Sequence, residues 1–287
     1  MALVSVLMPA YNHERWVAGA VESVLAQTHA DVELLVVDDG CTDHTPQVLG
    51  TFADPRVRLL THPGRANRGL HASLRLAAET AQGEWLSFLA SDDAWEPHRL
   101  ERLLAAGADA AYSQAALMDE SDVPTGVVWG APPDDDLFGN LLVTNVVPAA
   151  TVLVTREVFD RAGGVSDERF EDLDLMLRVS ALTDVAYVPE PLARYRVNTT
   201  GIAAQVQAEG RTRAEYASAI EHVASWPGLP EHRRATARNA AEAWTYVLSG
   251  DAPPPALQPL VARIEAAWAA PARPGLLARA RGLLRRR

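Results

Sequence analysis

The chain has no lysine, a single cysteine and no long apolar run. All 26 basic residues are arginine, a bias that points to a GC-rich genome and not to a function. A lone cysteine, Cys41, excludes an internal disulfide and is typical of proteins from a reducing cytoplasm. Because no run of about 18 apolar residues occurs, no membrane-spanning helix is predicted. The N-terminus enters a strand pattern without the basic segment of a signal peptide, so we expect a cytoplasmic protein.

Charge is distributed unevenly along the chain. The protein carries a net charge of −11, yet residues 271–287 contain six arginines and no acidic residue. The acidic body argues against general nucleic-acid binding. In the tail, the leucines between 276 and 284 share one helical face among the arginines, which is the pattern of a basic amphipathic helix on an anionic membrane. The alternative is a solubilising, partly disordered terminus.

The first part of the chain alternates between short apolar runs and amphipathic segments. Strands are predicted at 3–8, 32–37, 57–61, 85–89 and 109–113, and helices at 14–28, 44–53, 70–81 and 97–106. This alternation predicts an α/β fold with a parallel sheet and helices on both faces. The length of 287 residues leaves room for a helical appendage.

Beyond residue 114 the pattern is less regular. Edge strands are predicted at 115–118 and 126–129, a loop or short helix at 133–138, strands at 150–155 and 184–188, and helices at 156–162 and 172–182. From about residue 203 onward only helical patterns occur. We therefore divide the chain into an α/β domain at 1–200, a C-terminal helical region at 201–270 and the basic tail at 271–287.

The most informative segment is WLSFLASDDAW at 85–95, an apolar strand that ends in two adjacent carboxylates, Asp92 and Asp93. Adjacent anions are costly to hold together unless a cation or sugar hydroxyls meet them. Open α/β sheets bind ligands at this end of their strands. The simplest occupant is a divalent metal that carries a diphosphate. The alternative is a solvated turn in which Asp92 caps the helix near Pro97.

Four polar clusters follow predicted strands at their C-terminal ends. They lie at 9–12, 38–43, 67–69 and 91–93. Because these ends of parallel strands lie along one edge of a sheet, we expect all four clusters along one rim. A nucleotide would bind at that rim.

These segments, in this order and with this spacing, resemble the family 2 glycosyltransferases with the GT-A fold. The resemblance rests on PAYN at 9–12, VVDDGCTD at 36–43, NRG at 67–69 and FLASDDAW at 88–95, with support from FEDLDLMLRV at 170–179 and PLARYR at 191–196. It covers roughly residues 3–200. It implies a Rossmann-like nucleotide-binding sheet and an enzyme that transfers a sugar from a nucleotide donor with inversion.

The resemblance implies a donor site along the rim. The PAYN turn and Asp39 match the family's nucleotide-base contacts, and a carboxylate can accept a hydrogen bond from a uracil-type ring N–H. Arg68 is either a contact to the diphosphate or donor sugar, or a solvated loop residue. Cys41 stands where the family often has serine, and we assign it no chemistry. The predicted donor-binding residues are Pro9, Ala10, Tyr11, Asn12, Glu14, Asp39, Arg68, Ser91, Asp92 and Asp93.

A metal site is implied at the same rim. Asp92 matches the second acid of the family's DXD motif, which ligates Mn²⁺ or Mg²⁺ bridging to the donor diphosphate. The chain departs from the motif at its first acid, which is Ala90 here. The family often places a histidine shortly after its YR pair, where this chain has Asn198, so no third metal ligand is assigned.

The catalytic base is implied at the start of a helix. Glu171 and Asp172 resemble the family's acidic pair, whose second acid takes the proton of the acceptor hydroxyl. Glu171 and Asp174 are interpreted as charges that favour a helix N-terminus. An aspartate has an intrinsic pKa near ~4, so we expect Asp172 to be ionised at pH 7 and to act through its position. Arg178 is expected to brace the site through a carboxylate pair.

The leading prediction is an inverting, metal-dependent transferase that moves a sugar from a UDP- or dTDP-type donor to an acceptor hydroxyl in bacterial polysaccharide, glycolipid or related synthesis. A sugar nucleotidyltransferase would need a glycine-rich basic loop after the first strand, and PAYNHERW is not one. A glycoside hydrolase does not suit acids at a nucleotide-type rim. A non-catalytic nucleotide-sugar binder is suggested by Ala90 and opposed by Asp92 and Asp172.

Overall fold

The computed structural model describes residues 2–134, 136–198 and 208–269. The basic tail predicted at 271–287 lies outside the described residues. In the described part of the chain, no helix is long and apolar enough to cross a bilayer.

Four parallel strands form the first half of the sheet, as predicted. They are β1 (Val4–Ala10), β2 (Val32–Asp38), β3 (Val57–Thr61) and β4 (Trp85–Phe88). β1 lies between β2 and β4, and β2 also pairs with β3. The helices of this half are α1 (Val17–Leu25), α2 (Thr45–Leu49), α3 (Leu70–Thr80) and α4 (Arg99–Leu104), with a 3₁₀ turn at Pro63–Arg65.

The second half of the sheet is mixed, which corrects the expectation of a parallel sheet throughout. Its strands are β5 (Ala94–Trp95), β6 (Ala110–Met118), β7 (Pro124–Trp129), β8 (Leu153–Thr155) and β9 (Val185–Arg196). The strand order is β3-β2-β1-β4-β8-β6-β9-β5, and β7 also pairs with β6. β8 runs antiparallel to β4 and β6, whereas β6 and β9 are parallel. An apolar run locates a strand but does not fix its direction.

The remaining helices are short up to residue 161 and long after it. They are α5 (Leu137–Leu141), α6 (Arg156–Arg161), α7 (Glu171–Leu182), α8 (Thr212–Ser225), α9 (Glu231–Ser249) and α10 (Gln258–Ala269), with a 3₁₀ turn at Ala149–Thr151. The described residues beyond 208 thus contain helices and no strand, as predicted.

The sheet separates two apolar cores. Alternate residues of β1 face opposite sides, so Leu7 joins one core and Val6 the other. The core around Leu7 also contains Ile220 of α8 and Trp244 of α9. The C-terminal helices therefore share a core with the sheet, and the division near residue 200 remains our proposal.

Three aromatic side chains attach the C-terminal helices to the end of α5. Tyr216, Trp244 and Trp268 donate hydrogen bonds of 2.5, 3.0 and 2.8 Å to the successive carbonyls of residues 141–143. Carbonyls at a helix C-terminus lack partners within the helix, so these bonds satisfy groups that burial would otherwise penalise. The segment that follows α5 is thereby held next to the site described below.

Candidate functional site

The four polar clusters line one cavity of about 930 Å³, near the upper end of the usual range for ligand pockets. It lies at the C-terminal ends of the parallel strands, as predicted. The start of α7 and the C-terminal helices also line this cavity. Of the predicted site residues, all but Arg68 line the cavity.

The PAYN turn after β1 is tied to the loop after β2. Asn12 adopts a left-handed backbone conformation with φ of 55°, and its Oδ1 accepts hydrogen bonds from the backbone N–H groups of Thr42 (2.8 Å) and Asp43 (3.4 Å). The Cys41 thiol donates to the carbonyl of Ala10 at 3.3 Å. Burial raises the pKa of the Cys41 thiol to about 12, so this group stays protonated and has a structural role.

Asp39 is buried, lines the cavity and shapes the third loop of the rim. Its two carboxylate oxygens accept hydrogen bonds from the backbone N–H groups of Arg68 (2.7 Å) and Gly69 (3.0 Å). A carboxylate has further lone pairs, which leaves acceptor capacity toward a ligand. The Arg68 side chain itself is exposed and outside the cavity lining, as expected of a solvated loop residue.

The rim contains one more predicted donor residue, Glu14. It is exposed, and one of its oxygens accepts hydrogen bonds from the backbone N–H of His44 at 2.8 Å and from the His44 ring at 2.9 Å. Tyr11, 47% exposed, projects at the same edge.

The two carboxylates after β4 occupy different environments. The Asp92 carboxylate lines the cavity and accepts a 3.0 Å hydrogen bond from the Asn198 amide. Asp93 is buried and accepts a 2.8 Å hydrogen bond from the backbone N–H of Arg196. Burial, and then the neighbouring Asp92 charge, raise the pKa of Asp93 well above its usual value. Asp92 is therefore the carboxylate better placed to meet a ligand, and Asp93 is its support.

Arg196 fixes this turn from the end of β9. Its guanidinium donates to the carbonyls of Asp92 (2.7 Å) and Asp119 (2.8 Å) and to the carboxylate of Asp122 (2.6 Å), and it lies 5.1 Å from the centre of the Trp16 ring. The PLARYR segment thus holds in place the backbone of the turn that carries Asp92 and Asp93.

His13 is a cavity residue that the sequence analysis did not select. Its Nδ1 lies 2.8 Å from the Ser91 hydroxyl and 3.9 Å from a carboxylate oxygen of Asp92. His13 could have been selected from the sequence because it directly follows the PAYN turn, which was already assigned to the donor site.

The donor set at Asp92 suits a divalent cation that shares its ligands with a diphosphate. Among the described residues there is no cluster of three histidine, cysteine or acidic side chains that could hold a metal alone. Mg²⁺-type ions are commonly bound by one or two carboxylates together with substrate phosphates. The oxygen ligands present here, from Asp92 and the nearby Ser91 hydroxyl, fit that kind of site.

The predicted base, Asp172, lies at the start of α7 in the cavity wall. Burial, and then the charge of Glu171, raise the pKa of Asp172 to about 7, against a hydrogen bond from the Asn145 side chain that lowers it. This corrects the expectation of an ordinary aspartate pKa near ~4. The neighbouring Glu171 carboxylate lies 3.7 Å from Nε2 of His71, and Glu171 raises the pKa of His71.

Asp174 has a larger role than a helix-start charge. It is fully buried, and it receives hydrogen bonds from the guanidinium of Arg178, with Nε at 3.0 Å, and from the His222 ring at 2.6 Å. The predicted carboxylate pair of Arg178 thus exists, with Asp174 as the partner. Because His222 belongs to α8, the network links the helix that carries Asp172 to the C-terminal region.

We expect Asp174→Ala to lower the free energy of unfolding by about 3–5 kcal/mol, because it leaves the Arg178 charge buried without a carboxylate. Urea denaturation measures this loss. Asp160→Ala is the matched control, since Asp160 is 61% exposed and lies 4.0 Å from Arg156. We expect the control to cost less than about 1 kcal/mol. Equal, small losses in both variants would contradict a stabilising network at Asp174.

Comparison with known proteins shows which family this chain resembles. Residues 5–127 match the family model described as Glycosyl transferase family 2. The resemblance to the family 2 glycosyltransferases is therefore confirmed for this part of the chain.

Curated relatives are also named as glycosyltransferases. An uncharacterized glycosyltransferase of Nostoc sp., alr2836, is 26% identical over 208 residues, which cover 68% of this chain and 65% of the relative. A putative teichuronic acid biosynthesis glycosyltransferase of Bacillus subtilis, TuaG, is 28% identical over 205 residues, covering 70% of this chain and 81% of the relative. The chain thus spans slightly less than two thirds of the first relative's length.

Solved structures confirm the GT-A fold. S. aureus TarS 1-349 in complex with UDP-GlcNAc has a TM-score of 0.63 at 15% identity, covering 85% of this chain and 71% of that one. The mannosyltransferase PcManGT of Pyrobaculum calidifontis, in complex with GDP-Man and Mn²⁺, has a TM-score of 0.62 at 17% identity, covering 99% and 86%. At these identities the likeness concerns the fold.

Proposed function

We propose that this protein transfers a sugar from a nucleoside diphosphate donor to an acceptor hydroxyl with inversion at the anomeric carbon, in the synthesis of a bacterial polysaccharide or related glycoconjugate. The observation that carries the proposal is one cavity lined both by Asp92, on its donor rim, and by Asp172, whose pKa is raised, at the start of α7. The relatives named for polysaccharide synthesis support the product class.

The donor half of the cavity would hold the nucleotide. Asp39 and the PAYN turn form the part of the rim suited to the base, since Asp39 retains acceptor capacity beside its two backbone hydrogen bonds. We favour UDP or dTDP, for which TarS in complex with UDP-GlcNAc is a structural precedent. Asp92 would hold Mn²⁺ or Mg²⁺ together with the diphosphate, and the bound cation would supply Lewis-acid stabilisation of the leaving nucleoside diphosphate.

The part of the cavity around Asp172 would bind the acceptor, whose hydroxyl oxygen is the nucleophile. Asp172 takes the proton of the acceptor hydroxyl as its oxygen attacks the anomeric carbon from the face opposite the diphosphate. The attacking oxygen forms a bond to the sugar, the bond to the diphosphate breaks, and the proton stays on the carboxylate of Asp172. A general base works best when its pKa lies near the working pH. A sufficient fraction of it is then ionised, and the ionised form still binds a proton well.

The raised pKa gives a pH prediction. Asp172 is active as a base only when it is ionised, so we expect the single-turnover rate to fall about tenfold per pH unit below about pH 7 and to level off above it. An aspartate with its usual pKa would give a flat profile down to about pH 4–5. Rates measured from pH 5 to 8.5 with saturating substrates distinguish the two, and a flat profile would contradict the assigned environment.

A direct test of the proposed function is a thermal-shift screen of nucleoside diphosphates with Mn²⁺, followed by donor hydrolysis assays. A ligand that binds only the folded state raises its melting temperature by mass action. Hydrolysis of a nucleotide sugar without acceptor would exclude a purely binding protein. If no nucleoside diphosphate stabilises the protein, the donor assignment is wrong.

Two finer assignments remain predictions. The cytoplasmic location is expected from the sequence alone, and the peripheral contact of the basic tail with an anionic membrane concerns residues outside the described part of the chain. We retain a glycan, a lipid-linked sugar or a small molecule as the acceptor class.

A further inference from the structure

Position 90 is one point at which the chain departs from the motif that it resembles. Ala90 is exposed and lines the cavity beside Asp92, so a methyl group stands where the motif has a carboxylate. This inference rests on the proposed function, in which the cavity binds a donor diphosphate. A diphosphate is charged, so it needs polar partners wherever the cavity removes it from water.

The imidazole of His13 lines the same cavity and contacts Ser91, the residue that follows Ala90. Its Nδ1 lies 2.8 Å from the Ser91 hydroxyl, and its ring meets the Trp16 ring edge to face at 5.5 Å. The backbone N–H of His13 donates to the Thr45 hydroxyl at 2.9 Å. The side chain is held on several sides yet remains 24% exposed in the cavity.

The remaining basic side chains of the cavity are less suited to this contact. Arg196 is buried and donates to two carbonyls and the Asp122 carboxylate. Arg169 lies 3.8 Å from the carboxylate of Glu215. Arg15 is exposed and lies against the outer ring of Trp16 at 5.2 Å. In the described part of the chain, Nε2 of His13 has no hydrogen-bond partner.

We infer that His13 is a donor-binding residue whose Nε2–H donates a hydrogen bond to the diphosphate. This contact requires the tautomer in which Nδ1 accepts from the Ser91 hydroxyl, 2.8 Å away, and Nε2 carries the proton. The imidazole thereby supplies a contact to the ligand's anionic oxygens, next to the position from which the first motif acid is missing. A carboxylate would need a metal ion between itself and the diphosphate, whereas the imidazole N–H can donate to the diphosphate directly.

Three substitutions separate a ligand contact from a structural role. His13→Ala removes both ring nitrogens, His13→Asn keeps a polar atom near Nδ1 for Ser91, and His13→Gln extends an amide to about the reach of Nε2. His98→Gln is the control, since His98 is 65% exposed and does not line the cavity. Calorimetric titration with UDP, dTDP and GDP, each with Mn²⁺ and again with EDTA, is the measurement.

We expect the alanine and asparagine variants to lose about tenfold to a hundredfold in affinity for the tightest of these nucleotides, the worth of one hydrogen bond to a charged group. The loss should occur with Mn²⁺ and with EDTA alike, and the glutamine variant should recover part of it. The His98 variant should bind as the parent protein does. If the alanine variant fails to fold, the asparagine and glutamine variants decide alone.

Two results would overturn the inference. Parental affinity in the asparagine variant would mean that His13 only supports Ser91. A loss confined to the Mn²⁺ titration would mean that His13 acts through Asp92. Failure of the inference is distinct from failure of the proposed function, because in the latter case the parent protein itself binds none of the three nucleotides.

Discussion

Replacement of Asp172 by asparagine is expected to lower the rate of sugar transfer by roughly 10²- to 10⁴-fold, the usual contribution of a general base. Asparagine keeps the shape and hydrogen-bonding reach of the side chain but cannot take a proton. Donor binding should survive, because the donor is assigned to Asp92 and the rim loops and not to Asp172. Single-turnover transfer with saturating donor measures the effect, and donor hydrolysis can substitute until an acceptor is known.

The neighbouring acids provide the matched controls. Glu171→Gln should be milder, because Glu171 lies 3.7 Å from the His71 ring and is compensated there. Asp174→Asn should act on stability, since the side chain is fully buried against Arg178 and His222. If Glu171→Gln loses the rate while Asp172→Asn keeps it, the base is Glu171. If neither substitution matters, the acceptor proton leaves by another route.

The first half of the fold was predictable from the sequence because each element there is formed by local signals. Apolar runs located β1 to β4 within a few residues, and the polar segment after each strand located the rim. The second half depends on pairing partners far along the chain. β9 continues to Arg196, well past the predicted end at residue 188, because Ala193 pairs with both β6 and β5.

The same distinction between local and distant partners explains which residues of the candidate site could be predicted from the sequence. Asp92 and Asp172 were selected from motifs, whereas the role of Asp174 depends on His222, 48 residues away. The pKa of Asp172 depends on burial by surrounding elements, which no residue pattern reports. His13 was missed because its significance comes from the Ser91 and Asp92 side chains on a different strand end.

We expect Asp92→Ala to abolish the Mn²⁺-dependent part of nucleotide binding while leaving the fold intact. Asp92 and Asp93 both line the cavity, but the Asp93 carboxylate is buried and already accepts a hydrogen bond from the backbone N–H of Arg196. Without Asp92 the cation would keep only weak oxygen ligands on the protein side, so its bridge to the diphosphate would be lost. The Asn198 amide, which donates to Asp92 at 3.0 Å, cannot replace the missing charge.

Calorimetric titration with UDP in Mn²⁺ and in EDTA tests the assignment. Asp92→Ala should bind UDP equally in both conditions, at about the affinity that the parent protein has in EDTA. Asp54→Ala is the control, because Asp54 pairs with Arg56 at 2.8 Å and does not line the cavity. It should keep the Mn²⁺ dependence of the parent. An unchanged Mn²⁺ effect in Asp92→Ala would place the cation elsewhere, whereas a loss of UDP binding in EDTA as well would make Asp92 a direct contact of the nucleotide.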